Sequence, residues 1–210
     1  MLIPTHRPDD SFRIVLVAFD DFTDLDLILV WDLLNRVHVP GWSVRILGEA
    51  AFHRSMTGLT IPTHGHISEA GEADAVLFTS GKGTRVKIQD PAYLAHFSLD
   101  VNRQLIGSIC SGALLLAALG LLEGKRATTY PSAKSLLEAY GVEVVERPIV
   151  IEGNIATAGG CLAGQYLAGW VIERLVGNVI AQAVITSCQP VGEGLTFASD
   201  VEATPAAVSA

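Results

Sequence analysis

The chain has 210 residues, half of them hydrophobic, with a formal net charge of −8, a pI near 5.1 and a mean hydropathy of +0.40. That acidity leaves no basic stripe for phosphates, so nucleic acid is excluded as a partner. No apolar run reaches the roughly 18–20 residues that cross a bilayer, so no membrane partner is expected, and the length suits one α/β core.

In chain order, residues 1–11 read as an N-terminal extension with Pro4, His6, Arg7 and Pro8 and without an apolar signal core, which gives cytoplasmic residence as the expectation. Residues 12–19 are a nearly continuous apolar run, the pattern of a central parallel strand. A polar turn, Asp20-Asp-Phe-Thr-Asp24, follows, with Thr23 or Asp24 placed to cap a helix over residues 25–37. Pro40-Gly41 breaks that helix ahead of a strand at 42–47. Residues 51–68 are rich in Thr, Gly and His and read as a β-hairpin excursion. A buried strand at 74–78 ends in Thr79-Ser-Gly-Lys-Gly83, and Asp90-Pro91 opens a helix predicted to run to about residue 102. Next come a short apolar strand at 104–110 and a helix at 111–122. The pattern then predicts a strand-like piece at 126–130, a helix at 131–140, and short apolar segments at 142–146 and 149–151 around a turn. A strand at 154–157, a helix from Gly159-Gly160 to about 175 and a last helix at 179–186 complete residues 12–190, read as a single domain before a small, polar tail at 191–210. The alternation predicts a three-layer α/β/α sandwich with a mainly parallel sheet.

Ligand sites of open α/β sheets form at the carboxyl ends of strands, which focuses attention on three places. Cys110 sits where a buried strand turns into a helix, flanked by Ser108, Ser111 and Gly112. Unpaired amides and the helix dipole at such an elbow favour thiolate, the reactive form; a buried core cysteine is the other reading. At the first strand end Asp26 lies between Leu25 and Leu27, either as a costly buried carboxylate or as a solvent-facing helix residue. At the second, Gly81 and Gly83 beside Ser80 suit either amides aimed at developing negative charge or an ordinary tight turn. The three cysteines, 110, 161 and 188, have no metal-ligand spacing and suit free thiols in a reducing compartment, so neither a metal nor a disulfide frame is expected. Cys161 also follows a strand and opens a helix, but reads as a packing position beside Gly159 and Gly160, and Cys188 reads as structural. His64-Gly-His66 alternates like a strand face and reads as a loop or edge strand rather than a metal site. No histidine follows His96, so a carboxylate is the expected proton shuttle for a cysteine nucleophile.

These residues carry a resemblance. The stretch from Ser108 through Cys110-Ser-Gly-Ala-Leu to Thr128-Thr129 resembles the nucleophile elbow and following helix of the ThiJ/PfpI superfamily. Phe19 through Leu27, with Leu25-Asp26-Leu27, and Ala158-Gly-Gly-Cys-Leu-Ala-Gly164 resemble its isocyanide hydratase-like branch, and the likeness spans about residues 12–190. The resemblance implies a flavodoxin-like homodimer, related in architecture to class I glutamine amidotransferases, acting on a small molecule without a cofactor. It implies Cys110 as nucleophile, Asp26 as the acid at its sulfur, and Ser80, Gly81, Ser111 and Tyr130 as oxyanion- or substrate-binding residues. Three positions depart from the pattern: Tyr130 stands where many members have histidine, Ser111 where the hydratases have threonine, and Thr79-Ser80-Gly81 where Pro-Gly-Gly is usual. The missing histidine favours a carboxylate-assisted hydratase. A glyoxalase- or deglycase-type carbonyl enzyme and a non-catalytic redox-sensing or ligand-binding dimer are the alternatives.

Overall fold

Buried from Ile14 onward, β1 (Phe12–Val17) lies inside a seven-stranded sheet in the computed structural model, which describes residues 11–191. After it come α1 (Asp24–Asn35), β2 (Trp42–Gly48), the antiparallel pair β3 (Phe52–Arg54) and β4 (Thr60–Pro62), and the edge strand β5 (Gly65–His66). β6 (Ala75–Phe78) leads through the single-turn helices α2 (Thr84–Lys87) and α3 (Pro91–Leu94) to β7 (Leu105–Ile109) and α4 (Ala113–Ala118). The chain continues through β8 (Arg126–Ala127), α5 (Lys134–Glu138), β9 (Glu143–Val144), β10 (Ile149–Glu152), β11 (Ile155–Ala158), α6 (Gly164–Val176) and α7 (Asn178–Thr186).

The sheet order is β10-β11-β7-β6-β1-β2-β5, parallel throughout except for β10 against β11. Burial on both faces explains the unbroken apolar runs: every residue of β6, β7 and β11 is buried. α1, α6 and α7 pack together as one helical layer, and α4 packs with α2 and α5 as the other. Each fully buried leucine or isoleucine in these layers contributes about 1.5–3 kcal/mol over exposure. From β1 the chain moves outward to β2 in one direction and then returns to β6 and β7 on the other side. The carboxyl ends of β1, β6, β7 and β11 therefore share one edge of the sheet, around the point where the winding reverses.

Several elements are shorter than the sequence pattern predicts. The helix expected to reach residue 102 stops at Leu94. The Asp100 carboxylate accepts from the Asn102 amide and the Asp100 amide donates to the Gln104 side chain, so local side-chain bonds replace the helical ladder. The helix expected at 111–122 begins as a 3-10 turn, Cys110–Gly112, and ends before Gly120, whose φ of +74° is left-handed. The strand at 126–130 is only the two residues of β8, paired with β9 in a separate small sheet. The hairpin expected within 51–68 is β3 with β4, and β5 then joins β2 at the sheet edge. His64 and His66 serve this region as hydrogen-bonding groups: His64 Nδ1 accepts from the Ile46 amide at 2.9 Å, and His66 caps the 3-10 helix Ile67–Glu72. The extension at 1–10 and the tail from 192 lie outside the described residues.

Candidate active site

Cys110 is one of two non-glycine residues with positive φ among the described residues, at +54°, directly after the extended end of β7. A left-handed backbone at a side chain with a Cβ costs about 1–2 kcal/mol, and the surroundings must hold it. They do so from both sides. Thr129 Oγ1 donates to the Cys110 carbonyl at 2.8 Å, and the Thr84 and Ser111 hydroxyls meet at 3.4 Å. Gly112 lets the elbow pass over the end of β6, since a Cβ there would lie 2.7 Å from the Phe78 and Thr79 carbonyl oxygens. The sulfur-bearing residue is 8% exposed.

Asp26 enters from α1. It shares the buried helix face with Val30 and Leu33 at i+4 and i+7, so the solvent-facing reading fails: its exposure is 0%. Both carboxyl oxygens are buried without a hydrogen-bond partner. Burial pushes its pKa above the ordinary carboxyl value, and the Cys161 thiol and the Ser80 hydroxyl and amide facing it offset that only in part. Thr23 is the residue at the α1 N-cap, yet its side chain makes no cap bond. Instead its hydroxyl accepts from Ser80 Oγ at 3.2 Å, and its amide donates to the Ser80 carbonyl at 2.7 Å, tying the β1 loop to the β6 loop.

The expectation that the elbow favours thiolate meets a stronger opposing effect. Burial pushes the Cys110 thiol up, and the Asp26 charge adds to it; hydrogen bonds from Ser80, the Ser111 amide and Cys161 act in the other direction without reversing it. The helix expected to supply the dipole is only the six-residue α4, reached through a 3-10 turn.

Sequence reasoning gave Cys161 a packing role, and here the structure departs most from it. One carboxyl oxygen of Asp26 and the sulfurs of Cys110 and Cys161 all lie within 4.8 Å of one another. The cause is register: β11 and β7 are adjacent parallel strands in which Ala158 pairs with Ile109, so both loops leave the sheet at the same level. The Cys161 thiol is pushed up to about 12, first by burial and then by Asp26 and Cys110. Among the described residues these three are the group whose ligand atoms lie close enough together to share a metal ion, and binding one there would release the thiol protons. The signal for Cys161 was its place one loop past a buried strand, the same place Cys110 occupies.

Of the other sequence-predicted residues, Ser80 and the Ser111 amide reach the Cys110 sulfur. Gly81 lies in the β6 loop with φ +151°, where a Cβ would fall 2.0 Å from the Asp21 carbonyl oxygen. Its glycine is required by that close pass, and its amide is not among the groups acting on the sulfur. Tyr130 is half exposed at the start of the 3-10 turn Pro131–Ala133, with its ring 3.9 Å from where a Gly160 Cβ would stand, at the rim beside the loop that carries Cys161. An open groove of about 510 Å³ runs alongside, lined by Thr129, Pro131, Gly159 and Leu162 among others but by neither Cys110 nor Asp26. Cys188 stands apart from this cluster, its thiol donating to the Ile185 carbonyl at 3.1 Å.

With this geometry in view, similarity to known proteins is informative. An isonitrile hydratase of Pseudomonas putida is 30% identical over 176 residues, covering 83% of this chain and 76% of the relative. A deglycase of Pyrococcus abyssi is 26% identical over 176 residues, covering 80% of this chain and 93% of the relative. The crystal structure of a ThiJ/PfpI family protein from Pseudomonas syringae superposes with a TM-score of 0.78 at 23% identity, over 90% of this chain and 83% of that one. Schizosaccharomyces pombe DJ-1 superposes with a TM-score of 0.71 at 19% identity, over 85% of this chain and 99% of that one, so the likeness there is one of fold. A sequence profile described as the DJ-1/PfpI family matches residues 12–174, and the chain belongs to that family.

Proposed function

We propose that the protein is a cofactor-independent lyase that adds water to an isocyanide and releases an N-substituted formamide. The observation that carries this reading is a fully buried Asp26 carboxyl with an oxygen within 4.8 Å of the Cys110 sulfur, in a site where no histidine acts on that sulfur. The 30% identity to an isonitrile hydratase supports it. A neutral substrate with a slender reacting end also suits a nucleophile that is only 8% exposed, with the substituent directed toward the neighbouring groove.

In this reading Asp26 takes the Cys110 proton, the thiolate attacks the terminal isocyanide carbon, and Asp26 delivers the proton to that carbon, leaving a thioimidate. Water then adds to the same carbon, one proton passing through Asp26 to the nitrogen. The C–S bond breaks, the hydroxyl proton returns to sulfur, and the formamide leaves. The Ser111 amide and the Ser80 hydroxyl hold the developing negative charge, with Gly81 shaping the loop beside them. Tyr130 borders the substrate entrance. The working unit is proposed as a homodimer, because Leu25 and Ile28 on α1 and Leu162 on the segment packed against it are exposed at 44%, 41% and 67%. Free thiols at all three cysteines suit a reducing cytoplasm.

The test is formamide production from a simple aryl or alkyl isocyanide by the wild type, Cys110→Ala and Asp26→Ala. Turnover by the wild type and its loss in both variants is the expected result. A folded wild type without isocyanide turnover overturns the reading, and methylglyoxal turnover in its place moves the assignment to a carbonyl enzyme of the deglycase type.

A further inference from the structure

The mechanism above leaves the Cys161 thiol without a task, although it is held within 4.8 Å of the Cys110 sulfur. We propose that Cys161 is a resolving cysteine: a hydroperoxide entering the site oxidises Cys110 to the sulfenic acid, and Cys161 closes on it to form a Cys110–Cys161 disulfide that reversibly switches the site off. The inference needs Cys110 to be an oxidisable sulfur and does not depend on which substrate the site turns over.

The strand geometry permits the bond. Cys110 follows Ile109 and Cys161 lies three residues after Ala158, and those two residues are partners in adjacent parallel strands. The two strand ends therefore leave the sheet side by side, and the two sulfurs lie within 4.8 Å of one another, against the about 2 Å of an S–S bond. Closing the remaining gap requires a side-chain rotation and a small shift of the turn that carries Cys161. That turn, Cys161–Ala163, is a single 3-10 turn entered through Gly159-Gly160, with Gly160 at φ +128°. Cys161 is also the more exposed of the two, so a small dithiol can reach the finished bond from its side.

The surroundings order the two sulfurs. Cys110 has donors that stabilise its thiolate, from Ser80 and the Ser111 amide, whereas every group acting on Cys161 raises its pKa. In the proposed sequence peroxide reacts at Cys110: its thiolate attacks one peroxide oxygen, the O–O bond breaks, and the sulfur gains oxygen while the peroxide takes up the thiol proton and is reduced to an alcohol or water. Asp26 then accepts the Cys161 proton, the Cys161 sulfur attacks the sulfenic sulfur, and the S–O bond breaks. Hydroxide leaves with the proton as water, so the two electrons taken by the peroxide are supplied jointly by the two thiols. Without Cys161 the sulfenic acid would continue to sulfinate, which thiols do not reverse.

The experiment uses the full chain in a Cys188→Ser background, treated with several equivalents of hydrogen peroxide and read by intact mass and by mapping of alkylated peptides. The expected result is a mass loss of one H₂, simultaneous loss of alkylation at Cys110 and Cys161, and full recovery of both with dithiothreitol. With Cys161→Ser added, Cys110 should instead gain two oxygens and stay oxidised after dithiothreitol. Sulfinate on Cys110 with Cys161 still alkylatable in the parent overturns the proposal, as does a disulfide between two chains. The mapping of the parent decides the matter alone should the Cys161→Ser variant fail to fold.

Discussion

Asp26→Asn should make the protein more stable near neutral pH while removing turnover. The carboxyl is 0% exposed and neither oxygen is held in a close hydrogen bond, so the Ser80 and Cys161 groups facing it replace only part of the hydration that folding strips. Leaving a buried polar group unsatisfied costs about 1–3 kcal/mol, more when it is charged, and the amide removes the part of this cost that depends on charge. For a chain of this size each kcal/mol moves Tm by about 2–4 °C. The sign with pH follows from the raised folded-state pKa. Below the carboxyl's unfolded pKa of about 3.9 both states are protonated and wild type and variant should melt together. As pH rises toward the higher folded-state value, the unfolded chain releases its proton first, so the wild type loses stability that the variant keeps. Thermal melts of both proteins from about pH 3.5 to about pH 8 should therefore diverge upward, the variant melting higher, while isocyanide turnover by the variant falls by about 10²–10⁴-fold, as for loss of an acid–base group. A variant that melts at or below the wild type near neutrality, or a difference independent of pH, would refute the claim that burial sets this carboxyl.

Gly112→Ala should destabilise the fold by about 1–3 kcal/mol in urea unfolding, because its Cβ would stand 2.7 Å from two carbonyl oxygens at the end of β6. Thr129→Val leaves the Cys110 carbonyl without its 2.8 Å donor at a left-handed residue, and should cost about 1–3 kcal/mol and lower kcat more than it changes KM. Ser80→Ala removes a group that lowers the Cys110 pKa, so the pH profile of Cys110 alkylation by iodoacetamide should move to higher pH, whereas Asp26→Asn removes a charge that raises it and should move the profile the opposite way.

The fold was legible because a parallel sheet buried on both faces leaves uninterrupted apolar runs, and residues 12–19, 74–78 and 104–110 carry them. Cys110 was legible for a related reason: small and polar residues after such a run mark a sharp turn. What sequence pattern does not encode is which strand ends lie side by side. Cys161 was assigned to packing because the neighbourhood of β11 and β7 is a long-range fact, and the Ala158–Ile109 register that brings the two sulfurs together is set by pairing across the sheet. The side that Asp26 presents was undecided for the same reason, since its apolar neighbours Leu25 and Leu27 face opposite environments, one exposed and one buried. The thiolate expectation erred in weighing helix-end amides without the cost of burial, which acts on every ionisable group in the cluster.

That shared cost bears on the chemistry. Three ionisable groups within 4.8 Å, each raised first of all by burial, cannot all be charged together near neutrality, and they titrate as one coupled set. Where a negative charge does form, the donors decide its place. Ser80 lies where it lowers the pKa of either Asp26 or Cys110, its single hydroxyl proton turning to one partner at a time, and the Ser111 amide lowers that of Cys110, whereas no group at Cys161 favours its anion. In the proposed hydration Cys161 therefore keeps its proton while Asp26 and Cys110 exchange one between them. On that proposal, a pair that trades a single proton would supply, in alternation, a thiolate to attack carbon and a carboxylic acid to protonate it. The net charge of the cluster stays constant through such an exchange, so a neutral substrate can enter and a neutral product can leave without a histidine to balance the site.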